Sequence, residues 1–122
     1  MRISTRLAVK ALRDGQAHLD AGTFSQNRNG LYWKQHSEPE CGCAMAYIGK
    51  YAGMNPAFTY LPHELQDLIV AINDHDPEDL EIRQELVEYN IKTDRFYSFG
   101  DIADILEEPR CAYLLFEDKY NP

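Results

Sequence analysis

The run L-P-H-E-L-Q-D-L-I-V-A-I-N, residues 61–73, constrains the fold more than any other stretch of this chain. Leu61, Leu65, Leu68, Ile69 and Ile72 recur at i, i+4, i+7, i+8 and i+11, the spacing of one helical face. Pro62 suits the first turn of that helix, because a proline there gives up an N–H that would have no partner. A stripe of five large aliphatic residues has to be buried, and a helix buries such a stripe against other helices or a sheet.

The neighbouring segments supply the partners. Residues 4–21 read as a first helix, with Leu7, Ala8, Ala11, Leu12 and Leu19 on one side, Ser4 as N-cap and Gly22 just past the end. Gly15 weakens its middle by about 1 kcal/mol relative to alanine. T-F-S-Q and L-Y-W-K-Q flank N-R-N-G, and Asn29–Gly30 tolerates the positive φ of a tight turn, so a small β-hairpin is expected near residues 23–35. A second helix is expected from about Gly42 to Ala52, ending at Gly53, followed by a loop over M-N-P-A-F-T-Y. Beyond the aliphatic stripe, Asp76 and Pro77 open a fourth helix whose first turn holds Glu78 and Asp79, where the macrodipole favours anions. Ser98 and Asp101 open a short fifth one, D-I-A-D-I-L-E-E, stopped before Pro109. The tail C-A-Y-L-L-F suits either a strand or a helical turn.

The expectation is therefore a mainly α (α+β) fold: a single globular domain over residues 1–122, a compact bundle of about five helices with one hairpin. A chain of this length buries roughly two-thirds of its unfolded surface, enough for one core. No run approaches the roughly 18 apolar residues of a membrane span, and basic residues interrupt the N-terminus where a secretory leader would be apolar. Three cysteines, an odd number, suit reduced thiols. A cytoplasmic protein is the expectation.

Charge is uneven. Residues 1–61 carry 7 Lys/Arg against 4 Asp/Glu, and residues 62–122 carry 5 against 16. So acidic a half repels nucleic acid backbones and suits a basic protein surface.

Four constellations carry candidate chemistry. In E-C-G-C-A-M-A-Y, a cysteine at a helix start has its thiolate stabilised by unpaired N–H groups, so Cys41 or Cys43 could serve as nucleophile with His36, His63 or His75 as base. A hydrolase or transferase of this kind needs a strand to carry its histidine, and no strand run follows the cysteine helix. A metal-stabilised domain would draw on His36, Cys41, Cys43 and Cys111, but zinc sites recruit two cysteine pairs and only one is present. Packing accounts for the stretch more simply, because Gly42, Cys43, Ala44, Ala46 and Gly49 are small and Tyr47, Ile48 and Tyr51 form an apolar stripe. Residues 74–85 place acids at positions 1, 3, 5 and 12 of a calcium loop, but Asp79 stands at the glycine position, Pro77 at position 4 and Glu81 at the apolar position 8. A capped helix uses the same residues without strain. Arg28, Tyr32, Trp33 and Lys34 on the hairpin could stack a base or hold an acidic ligand, yet so short a hairpin needs its aromatics for packing. Phosphate-loop, dinucleotide and serine-hydrolase motifs are absent.

C-G-C-A-M-A-Y at a helix start, after an amphipathic helix and an aromatic segment, and I-N-D before an acidic capped helix, resemble small uncharacterised helical domains of bacteria and phages over residues 4–90. Ile72 stands where that pattern has tryptophan. The resemblance implies no activity; it implies a phage or mobile-element setting. Together these readings favour a small acidic binding protein without catalysis or cofactor. Asp74, Asp76, Glu78, Asp79, Glu81, Glu85 and Glu88 would dock it on a basic surface of a partner such as a host nucleic-acid-processing or defence protein, as an inhibitor would.

Overall fold

The computed structural model describes residues 2–27, 30–35, 38–73 and 97–108. Within them the protein is mainly helical. The elements run α1 (Thr5–Asp20), β1 (Ser25–Asn27), β2 (Gly30–Gln35), β3 (Glu38–Gly42), α2 (Ala44–Ala52), a 3₁₀ turn (Ala57–Thr59), α3 (His63–Asn73) and α4 (Phe99–Leu106). The helix expected to start at Asp76 and the tail C-A-Y-L-L-F lie outside the described residues, so five helices are not shown. Among the described residues no helix is long and apolar enough to cross a membrane.

Helix ends follow local chemistry. Ser4 caps α1, its hydroxyl accepting the Leu7 N–H at 3.1 Å, and Gly22 takes the left-handed conformation (φ +78°) just after the C-cap Ala21. Gly53 ends α2 in the same conformation (φ +67°). Pro62 stands just before α3, its carbonyl accepting the Gln66 N–H at 2.9 Å.

The N-terminus of α4 is closed most completely. Ser98 and Asp101 form a reciprocal capping box, in which each side chain accepts the other's backbone N–H. Two glutamines complete it: Gln26 of β1 accepts the Phe99 N–H at 3.2 Å, and Gln16 of α1 accepts the Gly100 N–H at 2.9 Å. The Gln26 amide also donates to the Tyr97 carbonyl at 3.3 Å. The first-turn donors that a helix leaves orphaned are thereby satisfied inside the protein.

The core lies where α1, α2, α3 and α4 meet. Leu61, Leu65, Leu68, Ile69 and Ile72, the stripe read from the sequence, are all buried, as are Ala8, Ala11 and Leu12 of α1 and Phe99, Ile102 and Leu106 of α4. Each fully buried aliphatic or phenyl side chain is worth about 1.5–3 kcal/mol of transfer free energy. Close approach of α1 requires Gly15, because a Cβ there would stand 3.0 Å from Phe99 Cδ2 and 3.1 Å from Tyr47 Cε1. On the rim, Arg13 of α1 reaches Asp104 of α4 at 2.6 Å and also Glu107, the residue that follows α4. Their hydrogen bonds, Glu107 first, raise the guanidinium pKa further.

The strands form an antiparallel sheet in the order β1-β2-β3. Asn27 pairs with Gly30, so Gly30 begins a strand and is not the second turn residue that Asn29–Gly30 suggested; residues 28 and 29 lie outside the described part. β3 pairs with β2 through Cys41↔Tyr32 and Pro39↔Lys34. This corrects the expected start of α2. Gly42 and Cys41 belong to a strand, Cys43 is the N-cap, and the helix proper begins at Ala44. Among the described strands β3 stands at an edge of the sheet, the kind of position in which proline, with no N–H to give, is found.

Candidate functional site

The cysteine stretch forms one wall of an apolar pocket. Cys43 has extended backbone (φ −77°, ψ 177°), and its carbonyl accepts the Tyr47 N–H at 3.1 Å, but its thiol makes no capping hydrogen bond to the helix. From Ala44 onward, α2 turns Ala44, Met45, Tyr47 and Ile48 inward and leaves Cys43 and Ala46 outside.

Gly49 shapes the opposite wall. A Cβ there would meet Asn55 Oδ1 at 2.5 Å, Ala57 Cβ at 3.0 Å and the Met54 carbonyl at 3.1 Å, so glycine lets the turn after α2 fold back closely against the helix. The Met54 N–H closes that turn onto the Gly49 carbonyl at 3.0 Å. Between Cys43, Met45 and Ala46 on one side and Asn55, Pro56, Ala57 and Phe58 on the other lies a pocket of about 470 Å³. Phe58, at 61% exposure, is the most exposed large apolar side chain of the described core and rim.

Of C-G-C, the described side chain is that of Cys43. Its neighbours Ala44 and Gly49 are packed as their size suggested, but Cys43 itself is exposed and free, and Tyr51 and Ala46 face outward as well. The tight-packing account therefore fits Ala44, Tyr47, Ile48 and Gly49 and does not fit Cys43, Ala46 and Tyr51. Of the candidate bases, His63 is the exposed first residue of α3, and His36 and His75 lie outside the described residues. Among the described residues no three of His, Cys, Asp and Glu gather in a way that could hold a metal ion. Of the four ligands named for a metal-stabilised domain, His36 and Cys111 also lie outside.

A second polar group escaped the sequence reading. Tyr47, 4% exposed, donates its hydroxyl to Asp14 at 2.5 Å, and Asp14 also faces His18 Nε2 at 3.9 Å. Burial foremost, then the carboxylate, pushes the Tyr47 phenol above its ordinary pKa. The His18 ring stacks on Phe24 with centroids 4.2 Å apart, and its Nδ1 lies 2.9 Å from Thr23 Oγ1. Because the Thr23 hydroxyl gives its one hydrogen to the His18 carbonyl at 3.0 Å, the ring nitrogen is the donor in that contact. These groups staple the end of α1 to α2 and to the approach to β1. The i, i+4 spacing of Asp14 and His18 was legible, but the arrival of Tyr47 from 33 residues away was not.

The acidic residues divide into two groups. Asp74, Asp76, Glu78, Asp79, Glu81, Glu85 and Glu88, named for partner docking, lie outside the described residues, as does the calcium-like loop they share. Of the described acids in the same half, Asp101 is used in the capping box and Asp104 and Glu107 by Arg13, whereas Glu64 and Asp67 are exposed on α3. No family model, no curated protein and no solved structure matches the chain. The resemblance to small bacterial and phage domains rests on its quoted residues alone.

Proposed function

We propose that the protein is an acidic binding protein, of phage or mobile-element type, that docks on a basic surface of a host protein partner. The observation that carries this reading is the charge split, with 16 acidic against 5 basic residues over residues 62–122 and a net charge of −8 for the chain. Asp101, Asp104 and Glu107 already serve α4, and the docking residues of this reading are Asp74, Asp76, Glu78, Asp79, Glu81, Glu85 and Glu88. Charges on a solvated surface act over ~8 Å at physiological salt, so the complex should form quickly and weaken as salt rises. The test is capture of partners on immobilised protein at low and high salt, repeated with Glu78→Lys, Asp79→Lys and Glu81→Lys combined. A partner lost at high salt and lost to the triple variant supports the proposal. One retained under both conditions overturns it.

A second reading has one observation in its favour: Cys43 is exposed at the rim of an apolar pocket, where a substrate's apolar group could sit beside a thiol. On this reading the protein is a Cys-dependent hydrolase or transferase, with a histidine as base. Iodoacetamide labelling of the folded protein at neutral pH, with Cys43→Ser as control, separates it from the first. A site-specific rate well above that of a peptide cysteine favours the enzyme, and a rate equal to it removes the reading's basis.

A further inference from the structure

We draw no further inference here: the strongest candidate, the apolar pocket between the first turn of α2 and the turn at Asn55–Phe58 with Cys43 at its rim, belongs to the site already described, and nothing in the structure shows what covers it.

Discussion

Gly15→Ala should destabilise the protein even though helix propensity alone forecasts the reverse. In the middle of a 16-residue helix, replacing glycine by alanine relieves about 1 kcal/mol of backbone entropy cost. The structure sets packing against that gain. The added methyl would stand 3.0 Å from Phe99 Cδ2 and 3.1 and 3.4 Å from Tyr47 Cε1 and Cδ1. Carbon atoms rest at about 3.5–4.0 Å, so both rings must retreat by roughly half an ångström. Neither has room. Phe99 is fully buried with its N–H bonded to Gln26, and the Tyr47 ring is pinned at its far end by Asp14. Overpacking of this kind costs about 1–3 kcal/mol, which leaves a net loss of about 1 kcal/mol. Urea denaturation followed by far-UV circular dichroism reads this as a lower midpoint at unchanged slope. Combining Gly15→Ala with Tyr47→Phe should shrink the penalty, since a ring without its hydroxyl anchor can shift, and a double-mutant cycle isolates that coupling. An increase in stability near 1 kcal/mol for Gly15→Ala would show that α1 does not approach α2 and α4 this closely.

Gln26→Leu removes the acceptor of the Phe99 N–H and the donor to the Tyr97 carbonyl, at an expected cost of about 1–3 kcal/mol. Hydrogen exchange at the Phe99 amide should speed up in this variant, and unchanged exchange there counts against the glutamine cap. Tyr47 predicts a loss of stability at alkaline pH. Its phenol is raised in the folded protein by burial and by Asp14, whereas in the unfolded chain it ionises near its ordinary value of about 10. The contribution is therefore complete below pH ~10 and drains away as pH climbs from there toward the folded value. Tyr47→Phe lacks it, so the stability difference between wild type and variant should narrow across that range; a constant difference in alkaline urea titrations rejects the argument.

What could be read from the sequence was chemistry that closes on itself within a few residues. Ser4, Gly22, Gly53 and the Ser98–Asp101 box mark helix ends because a side chain, or the lack of one, acts on backbone no more than three or four positions away. The aliphatic stripe of α3 was equally plain. β3 was not, because Glu-Pro-Glu-Cys-Gly is poor in strand-forming residues and becomes a strand through its partner β2. That omission carried into the site. Cys41 and Gly42 belong to β3, so Cys43 is the N-cap of α2 and not a residue of its first turn. With the start at Ala44, Met45 and Ile48 face the core and Cys43 and Ala46 face out. The exposed place of Cys43, just after β3 ends, follows a strand that local pattern did not announce.

Charge needs the same step from pattern to placement. An acidic half seen only as a sum invites assigning every carboxylate to a partner, but Arg13 comes from the other half of the chain to hold Asp104 and Glu107, while Asp101 closes its own helix. Exposed ion pairs are worth at most about 1 kcal/mol each, so this pairing adds little stability. Its consequence for binding is larger. A carboxylate already facing a guanidinium offers a basic partner less net field, and withdrawing it would expose Arg13 as a like charge to that partner. Docking through α4 would therefore have to overcome that pair, and the proposed charge reversals are placed at Glu78, Asp79 and Glu81, which are not part of it.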